Sequence, residues 1–224
     1  MSGHKTSMDV IRQTRIVIFA KAPVPGFCKT RLAGVLGAEG AAVLAASMLM
    51  HTVKIAQQAQ VGPVELCVAP DPDHECFQSM DLGKDLFWSR QSEGDLGERM
   101  ATAVRRTLSQ GQNVLCIGTD CLELQASHLR LATQSLIHQS AVMTPALDGG
   151  YVLLGLNRFD ESIFKDIAWS TPSVFVHTME RFRRLGWSVA EMQALRDIDE
   201  PQDLAFLPDP FKKIISVYTG GEKA

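Results

Sequence analysis

Three cations crowd one short stretch of this 224-residue chain. They are Lys21, Lys29 and Arg31, within Lys21-Ala22-Pro23-Val24-Pro25-Gly26-Phe27-Cys28-Lys29-Thr30-Arg31-Leu32. Pro25 and its neighbour Pro23 stiffen the turn, and Gly26 admits a positive φ or a close ligand. Anionic oxygens placed here would meet Lys29, Arg31 and the amides of a helix start near Thr30, and phosphate is the natural ligand. Two familiar phosphate loops are excluded. A P-loop needs Gly and Lys adjacent, whereas two residues separate Gly26 from Lys29, and a dinucleotide fingerprint needs three glycines where this loop has one. The plain alternative is a tight turn with solvated charges.

Other residues could complete a site. Asp120 follows the apolar run Val114–Gly118, which would place its carboxylate at the C-terminal edge of a sheet, unless it merely caps the next helix. Asp197 and Asp199 precede Glu200-Pro201, where an acidic N-cap before a helix-opening proline is routine. Asp148-Gly149-Gly150 is either a hairpin turn or a place where substrate nears the backbone, Asp148 then binding a sugar hydroxyl or deprotonating an acceptor. Gln91 could meet a base edge. A base or sugar lying across Gly94 and Gly97 would account for both glycines, and Asp95 with Glu98 fits a capping box. Trp169-Ser170-Thr171 could line an acceptor pocket or pack over a helix cap, with Thr171 capping and Pro172 at the first helical position.

These residues need elements to hold them. Arg15–Ala20, Val64–Ala69, Asp85–Ser89, Asn113–Gly118, Ala141–Ala146 and Tyr151–Leu156 read as short strands, continuous in hydrophobicity as strands buried on both faces are. Helical patterns alternate with them: about Gly40–Ala59, then Met100, Val104 and Leu108, then Leu129, Leu136 and Ile137, then Phe175, Met179, Phe182 and Leu185. Such alternation predicts a three-layer α/β/α fold around a mostly parallel sheet. Four residues between the fifth and sixth strands are too few for a crossover, so Tyr151–Leu156 is expected to run antiparallel.

Composition narrows the function classes. With 22 Lys and Arg against 25 Asp and Glu, the formal charge is −3, with 46% apolar and 21% charged residues. That describes an ordinary globular protein and argues against a nucleic-acid binder held by phosphate contacts. The five cysteines, Cys28, Cys67, Cys76, Cys116 and Cys121, form no C-x-x-C pair, and the six histidines have no zinc spacing. The polar N-terminus is no signal peptide, and Gly40–Met50 is too short an apolar run to span a membrane. A cytoplasmic protein with no membrane span is expected.

The stretch Phe19–Leu32 resembles the signature of bacterial nucleotide-diphospho-sugar transferase-like proteins of GT-A fold, many of them uncharacterised glycosyltransferases. It is more distantly similar to the phospholactate and molybdenum-cofactor guanylyltransferases. Gly94–Met100, Gly118–Cys121, Asp148–Tyr151, Trp169–Thr171 and Asp197–Leu204 match in the same order, so the resemblance covers about residues 15–207. One departure is Leu122, where the family usually has proline.

The resemblance implies one GT-A-like domain, with a nucleotide half over about 15–120, an acceptor half over about 121–207, and extensions at 1–14 and 211–224. It implies a nucleotide-sugar or nucleoside triphosphate substrate, a small-molecule acceptor, and Mg²⁺ or Mn²⁺ held by Asp120 and Asp199. Lys21, Lys29 and Arg31 would then bind phosphates, with Lys29 and Asp148 as catalytic groups. Glycosyl transfer is the first expectation. Nucleotidyl transfer with pyrophosphate release is the second, and a non-catalytic nucleotide-binding module, suggested by Leu122, is the third. The tail Phe211–Ala224 is free to pack on a neighbour in a homodimer.

Overall fold

A computed structural model of the chain describes residues 13–219. Seven strands form one sheet: β1 (Thr14–Lys21), β2 (Val64–Ala69), β3 (Leu86–Arg90), β4 (Asn113–Ile117), β5 (Ala141–Pro145), β6 (Tyr151–Leu156) and β7 (Val189–Glu191). Their order is β3-β2-β1-β4-β6-β5-β7. Every neighbouring pair is parallel except the two that include β6, which slots antiparallel between β4 and β5. The expected reversal at Tyr151–Leu156 is therefore present. The three-residue strand β7 carried too little pattern to be read from the sequence.

Helices cover both faces: α1 (Ala33–Ala59), α2 (Glu75–Gln78), α3 (Leu96–Ser109), α4 (Ala126–Ser135) and α5 (Val174–Arg184). On one face Ile16, Ile18, Leu66 and Leu115 pack against Leu49 and Val53 of α1 and Leu129 of α4. On the other, Val17, Cys67 and Cys116 meet Met100 and Val104 of α3 and Phe182 of α5. Successive strand residues point to opposite faces, so covering both faces requires unbroken apolar runs, and β4 is buried along its whole length. Helix α4 ends earlier than its apolar pattern suggests, and Ile137 lies beyond it, exposed.

A third apolar cluster lies outside the sheet. Leu36, Leu44 and Met48 of α1 gather Leu122, Ile198, Phe211 and Ile215. The last two belong to α6 (Asp209–Thr219), so the segment expected to be a free tail from residue 211 folds back on its own chain. Residues 1–12 and 220–224 lie outside the described residues. Leu122 is buried in this cluster, which gives the apolar residue at the departure from the family pattern a packing role. The helical stretch Thr30–Ala59, kinked at Gly37 (φ 68°), is long and apolar enough to cross a membrane by length and composition, unlike the shorter run read from the sequence. Its apolar residues are divided between the sheet core on one side and α6 on the other, as in a core helix.

His51 on α1 meets the Phe211 ring edge-on at 5.6 Å. Burial lowers its pKa from the ordinary 6.5, Lys54 lowers it further, and a hydrogen bond with the Leu122 backbone opposes them. The unfolded chain therefore takes up a proton below about pH 6.5 that the folded chain resists, so this contribution is intact above that value and lost as pH falls beneath it. Urea denaturation at pH 5.5 and 7.5 should show a stability loss on acidification that narrows in a His51→Gln variant. Phe211→Ala should cost about 3 kcal/mol in the same measurement, by removing an aromatic ring from a packed interface.

Candidate active site

Because β1, β2, β4 and β5 are parallel, their C-terminal ends lie along one edge of the sheet, and antiparallel β6 begins there. Ligands in open α/β sheets occupy this edge. Here it holds a cleft of about 680 Å³. The loop after β1 turns tightly: Ala22 N–H donates to the Ala69 carbonyl (2.8 Å), Val24 N–H to Ala22 (2.8 Å) and Phe27 N–H to Val24 (3.1 Å). Lys29 then adopts a left-handed conformation, φ 46°, ahead of a 3₁₀ turn at Thr30–Leu32 that runs into α1.

That geometry points Lys29 inward. Its ammonium lies 2.8 Å from Asp120 Oδ1 and 3.4 Å from Asp199 Oδ1, and it donates to the Ile198 carbonyl at 2.5 Å. Only 6% of the Lys29 side chain is exposed, against 46% for Asp120 and 39% for Asp199. Arg31, more open to solvent, pairs with Asp199 (2.8 Å) and Glu200 (2.9 Å). Residues 195–200 are themselves tied across the strand ends. Leu195 bridges Ala146, Ile198 N–H donates to the Asp120 carbonyl (2.9 Å), and Asp203 accepts from the amides of Asp199 (3.1 Å) and Glu200 (2.8 Å).

Carboxylates dominate this wall. Asp197 also lines the cleft, and burial followed by the charges of Asp148, Asp120 and Asp199 pushes its carboxyl up to about 6. No group of three or more His, Cys, Asp or Glu poised to hold a metal occurs among the described residues. Two carboxylates with substrate phosphate and water suffice for Mg²⁺ or Mn²⁺, which prefer hard oxygen donors, so the residues present fit such an ion. Cys121 does not compete for a chemical role, since burial pushes its thiol up to about 12.

Two further cations that line the cleft, Lys21 and Arg99, have no carboxylate partner among the described residues. Arg99 was missed in the sequence. Its Nε donates to the Gly94 carbonyl (2.9 Å) and its Nη1 to Gln91 Oε1 (3.3 Å). Only its place in the first turns of α3, beside the buried Met100, could have marked it. Tyr151, half-buried, contributes to the wall, its ring in a T-shaped contact with Trp169 at 6.5 Å.

The structure brings Lys21, Lys29, Thr30, Arg31, Gln91, Asp120, Asp199, Trp169 and Ser170 to one cleft. Pro25, Gly26, Gly94, Asp95, Gly97, Asp148, Gly149, Gly150 and Thr171 lie outside its lining. Several of these have packing roles instead. Gln91 spends its amide protons on the Ala20 and Cys67 carbonyls (3.1 and 2.9 Å), so it braces the sheet edge and has none left for a base. Asp95 and Glu98 form the expected capping box, and a Cβ on Gly94 would sit 2.0 Å from Glu98 Oε2. A Cβ on Gly97 would meet the Trp169 ring at 2.7 Å. A base across this loop is therefore not needed to explain either glycine. Gly149, at φ 93°, faces the Pro172 carbonyl, which a Cβ would meet at 2.1 Å, so that space belongs to the chain leading into α5 and not to substrate. Asp148 accepts from Gly150 N–H (2.8 Å), the turn reading. Helix α5 starts at Val174 with Ser173 as N-cap, while Thr171 donates to the Ala168 carbonyl (2.7 Å), so neither Thr171 nor Pro172 holds its expected cap position.

A mixed, mostly parallel sheet with a charged cleft at its C-terminal edge is the nucleotide-diphospho-sugar transferase type of α/β protein. A protein of Desulfovibrio desulfuricans G20, provisionally named a nucleotide-diphospho-sugar transferase, shares this fold at TM-score 0.81 and 27% identity, over 92% of this chain and 98% of its own. A nucleotidyl transferase of Methanothermobacter (Mth528) superposes at 0.57 with 16% identity, over 90% and 98%. A cytidylyltransferase of Leptospira borgpetersenii does so at 0.53 with 14% identity, over 92% and 93%. These two are alike in fold alone. The chain belongs to the DUF2064 family, described as uncharacterized proteins conserved in bacteria, whose model matches residues 52–171. No curated protein matches it.

If Gly149 serves packing, Gly149→Ala should lower stability by about 3 kcal/mol, combining a left-handed backbone with a backbone clash. The melting temperature reads this directly. A stable Gly149→Ala protein with impaired ligand binding would instead place substrate at the turn.

Proposed function

We propose that the chain is a metal-dependent transferase that takes a nucleotide-sugar donor and passes its glycosyl group to a small-molecule acceptor. One observation carries this reading: the basic loop after β1 and the carboxylates Asp120 and Asp199 converge in a single cleft at the C-terminal edge of the sheet. The name of the Desulfovibrio relative supports the same substrate class.

Lys21, Lys29 and Arg31 bind the donor's phosphates, with Arg99 as a further cation facing them. Asp120 and Asp199 hold Mg²⁺ or Mn²⁺, which supplies charge neutralisation for the departing diphosphate. An acceptor oxygen attacks the anomeric carbon, the bond from that carbon to the phosphate oxygen breaks, and nucleoside diphosphate leaves. Asp197, which lines the cleft with Asp148 close by, is placed to take the acceptor's proton. Trp169 and Ser170 supply the acceptor's wall. The protein's contribution is positioning and electrostatics. All five cysteines are free, which suits a reduced cytoplasmic setting.

Incubation with panels of nucleotide-sugars and nucleoside triphosphates plus Mn²⁺ tests the reading. Release of nucleoside diphosphate is expected, pyrophosphate would show nucleotidyl transfer, and failure to bind any nucleotide in calorimetry would overturn both. Asp120→Asn should lower turnover by about 100-fold or more while the protein stays folded, by removing a ligand of the charge-neutralising ion. An Asp120→Asn protein with altered stability and unchanged turnover would make Asp120 structural.

A further inference from the structure

Resting on that reading of the cleft, we propose that Lys29 is an internal counter-ion that holds Asp120 and Asp199 in register. It must be displaced before a divalent cation can bind, so metal and the donor's phosphates enter together. An ammonium has three protons to donate, and Lys29 has three acceptors within reach: Asp120 Oδ1, Asp199 Oδ1 and the Ile198 carbonyl. The two carboxylates come from distant segments, the end of β4 and the strap after β7, and Lys29 is the charge between them. Its left-handed backbone and 6% exposure fix its aim.

A divalent ion held by Asp120 and Asp199 would draw on carboxylate oxygens of both, the hard donors such ions prefer. The Lys29 ammonium already lies against an oxygen of each, and two cations drawn to the same oxygens repel one another. Metal alone must therefore expel a satisfied lysine with no new partner for it. A diphosphate changes this, because its oxygens accept the ammonium in a cleft whose other lining cations, Lys21 and Arg99, have no carboxylate partner among the described residues. Lys29 then moves from carboxylate to phosphate as the ion takes its place. Metal affinity becomes conditional on nucleotide, and hydrolysis-prone donor is not polarised until it is fully seated.

The test reads Mn²⁺ binding without nucleotide, by electron paramagnetic resonance of free Mn²⁺, in wild type, Lys29→Met, Lys29→Gln and Lys29→Arg. Wild type and Lys29→Arg should bind Mn²⁺ weakly, and both neutral variants at least about tenfold more tightly. Mn²⁺ should raise the melting temperature of the neutral variants and leave that of wild type unmoved, as expected for a ligand of the native state. Where a neutral variant folds only with millimolar Mn²⁺, that rescue is itself the expected result. Equal Mn²⁺ affinity in wild type and neutral variants overturns the proposal, as does tight binding by Lys29→Arg, or neutral variants that neither bind nor fold with Mn²⁺. Failure of the transferase reading shows separately, as wild type that binds no nucleotide of the panel with Mn²⁺ present.

Discussion

The ion pairs around Lys29 are the contact on which the cleft depends. One buried ammonium meets carboxylates from the end of β4 and from the strap at 195–200, segments nearly 80 residues apart in the chain. Without it, Asp120 and Asp199 would share only Arg31 and the nearby charges of Asp197 and Asp148 would go largely unopposed among the described residues; burial, followed by the charges of Asp148, Asp120 and Asp199, already raises the carboxyl of Asp197. A charge this buried is tolerable only because each of its donors finds an acceptor. The arrangement commits the protein to a compact, oppositely charged seam at the place where a ligand must enter.

The rest of the fold can be understood as what that seam requires. Parallel strands β1, β2 and β4 bring the basic loop and Asp120 to the same edge. Antiparallel β6 separates β4 from β5, and the chain returns after β7 across the strand ends to deliver Asp199. Helix α6 closes the outside of α1, and Leu122 and Ile198 lie in the same apolar cluster as Phe211. Residues close to Asp120 and Asp199 in the chain are thus anchored by hydrophobic burial while the carboxylates themselves remain accessible. Burial stabilises the backbone here, and ion pairing sets the side chains.

Two other cations of the cleft follow a different rule. Lys21 and Arg99 keep their charge unmatched by carboxylate, and Arg99 is held by a carbonyl and by the amide oxygen of Gln91, which orient it without neutralising it. The cleft therefore holds carboxylates already paired with Lys29 and Arg31 alongside cations that have no carboxylate partner among the described residues.

Much of this was legible in the sequence. The strands were, since burial on both faces leaves unbroken apolar runs, and so was the reversal at β6, because four residues cannot cross a sheet. So too were the cation-rich loop and Asp120 at strand ends, and Asp199 before the helix-opening Pro201, whose types and places limit what they can do. Local spacing could not show partners. Gly97 and Gly149 read as room for substrate and prove to be room for the Trp169 ring and the Pro172 carbonyl. Gln91 read as a base contact and proves to be bonded into the sheet edge. Residues 211–219 looked unassigned because their apolar face finds its complement only on α1, far away in the chain. The sequence determined which charges and apolar faces exist; tertiary structure decided which of them are already satisfied within the chain and which are left for a ligand, because pairing depends on distances in space that separations along the chain do not encode.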